Sequence, residues 1–205
     1  FNKGQIRVFD QLIDSDKSAE KMKHRIGFMP QGLGLNLYPD LSIEENIDFF
    51  AHLRGVPANT LEQRKKMLLE VSSLNGFKDR AMKNLSGGMK QKLGLVCTLI
   101  HQPSLVILDE PTTGVDPVSR RDFWEMLNAL VREENMTALI STAYMDEATR
   151  FNRLTVMHQG KVLETGTADD IIDRTPGWLI EIESENPKEL LLKVQSQFPQ
   201  AEELG

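Results

Sequence analysis

Two rhythms of apolar residues run along this chain. Short apolar stretches occur in "GQIRVFD" (4–10), "HRIGFMP" (24–30), "SLVILDEP" (104–111) and "TALIST" (137–142). These predict strands, and the unbroken run before Asp109 suits a strand buried on both faces of a parallel sheet. Between them the apolar residues recur at helical spacing. In "LSIEENIDFFAHLRG" (41–55), Ser42 and Glu45 have the spacing of a capping box, and Gly55, Val56 and Pro57 end the pattern. Thr60 and Gln63 offer a second such box, before a face made of Leu61, Leu68, Val71 and Leu74. Met89, Leu93, Val96, Leu99 and Ile100 form a stripe that stops before Pro103, and Trp124, Leu127, Leu130 and Val131 form another. A short helix is predicted from Met145. "RLTVMHQGKVLETG" (153–166) reads as a hairpin turning at Gln159 and Gly160. Strand and helix alternate, which implies an α/β fold with a parallel sheet. After a boundary within 165–177, "WLIEIES" (178–184) alternates like a strand. "NPKELLLKVQSQF" (186–198) is an amphipathic helix with Leu190, Leu191, Val194 and Phe198 on one face.

Composition narrows the picture. The 205 residues are 40% hydrophobic and 26% charged, which is ordinary for a globular chain. The net charge of −6 is spread evenly, which argues against a nucleic-acid backbone as the main partner. Cys97 is the only cysteine, so no disulfide forms within the chain; its apolar surroundings read as core and its solitude fits a reducing interior. No apolar run approaches the roughly 18–20 residues that cross a bilayer, and no signal-peptide pattern opens the sequence. Work at a membrane would need a partner to hold the chain there. His24, His52, His101 and His158 show no metal-ligand spacing and read as surface or helix-cap residues.

Two stretches carry chemistry. Asp109 and Glu110 close an apolar strand, where parallel α/β sheets bind their ligands. An Asp there suits Mg²⁺ and its neighbour can polarise a water, although a turn with solvated carboxylates gives the same pattern. Ser86, Gly87 and Gly88 open a helix, whose free N–H groups and dipole favour an anion; an ordinary helix start gives that pattern too.

In this order, "LSGGMKQ" and "LVILDEPTTGVDP" resemble the signature and Walker B segments of ATP-binding-cassette ATPases. The resemblance extends from Gln5 to about Gly166. It implies a P-loop NTPase (RecA-like) parallel sheet, 1–31 and 101–166, with an inserted helical subdomain, 32–100, and a C-terminal strand–helix appendage, 167–205. By position it implies that Glu110 is the general base, that Asp109 and Gln31 hold Mg²⁺, and that Asp116 is the D-loop acid. Ser86, Gly87 and Gly88 would grip ATP bound to a second cassette. The wording around both motifs, with "STAYMDEATRF", is similar to the tandem-cassette ATPases of ABC-2-type exporters, a group that includes multidrug and ion exporters and a ribosome-associated ATPase. The implied partners are a second cassette and an ABC-2-type permease, touched through Leu35, Leu37 and Tyr38, with the chain on the cytoplasmic face of the membrane. The alternatives are a regulatory or structural cassette serving a catalytic partner, and an ABC ATPase that acts on ribosomes.

Two family features are missing. No G-x-x-x-x-G-K-[ST] phosphate loop occurs; the one Gly-Lys pair, Gly160 and Lys161, lies in the hairpin. A cassette cut at both ends is expected, with loss of nucleotide binding as the rival. The family also places a switch histidine directly after the Ser/Thr pair that ends the next strand. Here Ser141 and Thr142 are followed by Ala143, whose methyl makes no hydrogen bond.

Overall fold

A computed structural model describes residues 4–174 and 186–198. The chain divides into two compact units, Phe1–Met145 and Asp146–Gly205.

The first unit begins with a hairpin, β1 (Ile6–Val8) and β2 (Gln11–Ile13), where the sequence predicts one strand. Phe9 and Asp10 make the turn at φ 50° and 62°, the left-handed geometry of a tight hairpin turn. Neither is glycine, so the sequence gives no turn signal there. A five-residue helix, α1 (Asp16–Glu20), follows and is closed by a Ser15–Ser18 capping box.

Three parallel strands form the sheet that positions the site, in the order β3 (Ile26–Met29), β4 (Leu105–Asp109) and β5 (Thr137–Ser141). Phe28, Ile107 and Leu139 are in register on one face. The opposite face is core: Met29, Val106 and Leu108 are buried. The expectation of a β4 buried on both faces is met only in part, because Leu105 and Ile107 are half-buried; beside them Phe28 is 52% exposed and Leu139 59%. On the buried face α4 (Gly87–Leu99) approaches β3 so closely that a Cβ on Gly27 would lie 2.8 Å from the Thr98 carbonyl oxygen.

The helical insert comprises α2 (Ile43–Leu53), α3 (Ala58–Val71) and α4. The Ser42–Glu45 capping box is present, with the Glu45 amide donating to Ser42 Oγ at 3.1 Å and the Ser42 amide to Glu45 Oε2 at 2.8 Å. The second predicted box is absent. Helix α3 starts three residues earlier, after Pro57, and the Thr60 hydroxyl donates to the Pro57 carbonyl instead. Leu69 joins Leu61, Leu68 and Leu74 in the core, whereas Val71 is half-buried. Buried Asn46 fastens the preceding loop, donating to the carbonyls of Tyr38, Leu41 and Ser42 and accepting from the Tyr38 amide. Leu37 is 6% exposed and belongs to the core, contrary to its expected place on a contact surface; Leu35, two residues earlier, is 78% exposed.

Helix α5 (Pro117–Glu133) links β4 to β5, and Asp116 is its N-cap. Phe123, Trp124, Met126, Leu127 and Leu130 make its buried face. The short helix expected from Met145 is present as a 3₁₀ helix, Met145–Arg150. The hairpin β6 (Leu154–His158) and β7 (Lys161–Gly166) turns at Gln159 and Gly160 as expected, both at positive φ. Helices α6 (Ala168–Arg174) and α7 (Pro187–Gln197) follow. The expected strand at 178–184 lies outside the described residues. Among the described residues no helix is long and apolar enough to cross a membrane.

Candidate active site

The C-terminal ends of β3, β4 and β5 deliver three segments to one place. Gln31 follows β3, Asp109 and Glu110 end β4, and Ser141 ends β5. Their polar atoms interlock. The Gln31 amide nitrogen donates to Glu110 Oε2 at 2.7 Å. The Ser141 hydroxyl donates to Asp109 Oδ1 at 2.5 Å. The Glu110 amide donates to both the carbonyl oxygen and Oγ of Ser141, each at 3.1 Å. Glu110 itself stands at φ 43°, in the left-handed region that a glutamate rarely adopts. Its amide bonds to β5 hold it there, and such strain recurs at reactive positions.

The turn after Glu110 supports it further. The Thr113 amide donates to the Glu110 carbonyl at 3.2 Å, and the Thr113 hydroxyl donates to Glu110 Oε2 at 3.0 Å. From the other side, buried Gln91 on α4 donates to the Pro111 carbonyl. Sequence reasoning passed over both residues. Thr113 is one of two adjacent threonines, and Gln91 looks like a polar residue on a helix face; only the fold shows which of them points at the acid pair.

The remaining candidates form a second group. Ser86 caps α4, its hydroxyl accepting from the Met89 amide at 3.3 Å. A Cβ on Gly88 would fall 2.5 Å from Ser119 Cβ, so the start of α4 lies hard against the start of α5. There Asp116 accepts from the Ser119 amide at 2.9 Å, and that hydrogen bond holds its carboxyl below the usual carboxylate range. Leu33 lies within 3.6 Å of a Cβ built on either Gly87 or Gly114, bridging the two loops. No hydrogen bond between described residues joins this group to Glu110.

Ala143 is exposed, one residue past Thr142, whose hydroxyl accepts from the Tyr144 amide at 3.0 Å. The Tyr144 ring carries the Arg120 guanidinium at 4.2 Å from its centroid. Cys97 is buried among apolar residues, which pushes its thiol well up and leaves it a core residue, as expected. His101, read as a surface or helix-cap residue, lies just past the end of α4. It is half-buried, and its Nε2 donates to the Ile26 carbonyl at 3.2 Å. It lines a cavity of about 450 Å³ with Arg54, Arg64 and Met67. That cavity is at the Ile26 end of β3, away from Gln31.

The family model for ABC transporters matches residues 2–113. The chain is 46% identical over 69% of its length to the probable multidrug ABC transporter ATP-binding protein YbhF of Escherichia coli, covering 24% of that protein. It is 38% identical over 86% of its length to the Nod factor export ATP-binding protein I of Bradyrhizobium diazoefficiens, covering 56% of it. The chain thus spans between a quarter and just over half of these curated relatives. Its fold superposes on cbiO1 of Clostridium perfringens, part of the ABC transporter complex cbiONQ, with a TM-score of 0.77 and 25% identity over 97% of this chain and 74% of that one. By its matched sequence and its shared fold, this chain belongs to the ABC transporter family.

Proposed function

We propose that this chain is part of the ATP-hydrolysing cassette of an exporter, and that Glu110 is its general base. The observation that carries this reading is the hydrogen-bonded group of Gln31, Asp109, Glu110 and Ser141 at the ends of three parallel strands. Parallel sheets bind ligands there. The donor set fits Mg²⁺, which takes carboxylate and amide oxygens. Asp109 Oδ2 takes no hydrogen bond from the described residues. Gln31 must turn its nitrogen to Glu110, because a carboxylate only accepts, and this leaves its oxygen available. Bound Mg²⁺ would neutralise phosphate charge. Asp109 and Gln31 would hold it, and Glu110 would take the proton from the attacking water. Ser86, Gly87 and Gly88 would meet ATP carried by a second cassette, with Asp116 at the same contact.

The relatives named for multidrug and Nod factor export support the exporter role. So does an exposed apolar surface on the insert. Leu33, Leu35, Tyr38, Phe49 and Leu53 are exposed there, and Tyr38 packs edge-on against Phe49 at 4.5 Å. We assign this surface to an ABC-2-type permease, which would keep the chain at the cytoplasmic face of the membrane. Leu37 has no share in it.

Ala143 favours a second reading, in which this cassette hydrolyses slowly and supports a faster partner. One experiment addresses both. Glu110→Gln in the whole protein should lower ATP turnover by about a hundredfold, the lower range for loss of a general base, while ATP binding persists. Unchanged turnover would remove Glu110 as base and leave the supporting role.

A further inference from the structure

Glu110 is held by one oxygen only. Both side-chain donors that reach it, the Gln31 amide at 2.7 Å and the Thr113 hydroxyl at 3.0 Å, converge on Oε2. Oε1 takes no hydrogen bond from any described residue. A carboxylate spun freely about its last torsion presents either oxygen, in any plane. Two donors on one oxygen remove that freedom and leave the other as the acceptor.

The two donors differ in how they are attached. Gln31 comes from the end of β3 and enters the loop that leads to the helical insert. Thr113 belongs to the same turn as Glu110, closed by its own amide on the Glu110 carbonyl. Thr113 is thus tied to Glu110 through one turn of backbone, whereas Gln31 reaches it from another strand.

We infer that Thr113 is a positioning residue for hydrolysis, holding Glu110 Oε2 so that Oε1 receives the proton. This rests on the reading of Glu110 as base. In the step it serves, the water oxygen bonds to the terminal phosphorus while the bridging phosphorus–oxygen bond breaks. The bonding pair leaves with ADP, and the water proton passes to Glu110 Oε1. The hydroxyl's contribution lies in orientation, so it acts on turnover and not on nucleotide binding.

The test is steady-state ATPase kinetics of the whole protein with four substitutions. Thr113→Val keeps the shape and removes the donor; Thr113→Ala also removes it without any added bulk. Both should lower kcat about tenfold, the scale of one hydrogen bond to a charged group, with KM for ATP within about twofold of the parent. Thr113→Ser restores the donor and should recover most of kcat. The inference falls if Val and Ala leave kcat unchanged, if Ser falls as far as Val, or if the loss appears in KM. Glu110→Gln, measured alongside, separates the two claims. If it abolishes turnover while Thr113→Val does not, only the role of Thr113 is lost. If it leaves turnover intact, the base assignment itself is lost.

Discussion

Ala143 sits among residues that already have partners. The Ser141 hydroxyl is committed to Asp109, the Thr142 hydroxyl accepts the Tyr144 amide, and the Tyr144 ring is packed against Arg120. The Ala143 methyl neither donates nor accepts a hydrogen bond, so on the reading of Glu110 as base no side chain at this position assists it. Ala143→His should therefore raise ATP turnover of the whole protein, by about tenfold if the imidazole bonds to the reacting groups. An unchanged rate would mean that this position does not limit hydrolysis. His101 gives a second prediction of this kind. Burial, then the nearby Arg54 charge, lowers its pKa from 6.5 to about 4, so it is neutral in the fold with Nε2 donating to Ile26. Between those two values the unfolded chain binds the proton and the folded chain does not, and stability is lost as pH falls from about 6.5 towards 4. By pH 5 the loss should be about 1 kcal/mol, less than the full shift because only part of it is reached there and the ring is partly solvated. Urea midpoints at pH 7.5 and 5 measure it. His101→Gln, which keeps a donor for Ile26, should show a shallower fall than the parent, and equal slopes would exclude His101 as the cause.

Between elements, the strongest single tie joins the insert to the lobe beneath it. Arg64 on α3 pairs with Glu134 at the end of α5 through both carboxylate oxygens and also donates to the Leu99 carbonyl at 2.9 Å. The two side chains are 7% and 11% exposed. Removing one partner strands a buried charge, so Arg64→Ala or Glu134→Ala should each cost about 3–5 kcal/mol. Replacing both by apolar residues of similar volume, Arg64→Met with Glu134→Leu, should cost much less than the two single losses summed. A double-mutant cycle in urea decides it, and additive losses would show that the pair is not coupled. Nothing in the sequence announces this pair, because 70 positions separate two unremarkable charged residues on helix patterns. The helices themselves were readable wherever local rules act: Ser42 with Glu45, and the apolar stripe of α5. The start of α3 was misread because Thr60 is spaced like a cap while its hydroxyl serves the Pro57 carbonyl. The strand residues Asp109 and Glu110 were readable from their place after an apolar run. Thr113 and Gln91 were not, since their function lies in which way a turn and a helix face each other.

At the scale of the whole molecule, the sheet has one finished face and one open one. Val106 and Leu108 are buried on one face, while Phe28, Ile107 and Leu139 form a row across three strands with both ends of the row more than half exposed. Parallel sheets are ordinarily covered on both faces, and an apolar patch of this kind left in water favours association. The row also ends just short of Asp109, Glu110 and Ser141, so whatever covers it would close one side of the reacting group. The 205-residue chain by itself also lacks a G-x-x-x-x-G-K-[ST] stretch, whose backbone and lysine would supply the donors for the ATP phosphates. Such a chain should bind ATP weakly and display its apolar row. An apolar fluorescent dye added to it should therefore bind strongly, and the protein should self-associate with rising concentration. Phe28→Ser with Leu139→Thr should reduce dye binding by more than half. It should leave the urea midpoint nearly unchanged, because both positions already face water and threonine keeps strand propensity. If dye binding survives the double substitution, the open sheet face is not the surface being reported. If the substitution unfolds the chain, the row is already covered in solution and the two residues are core.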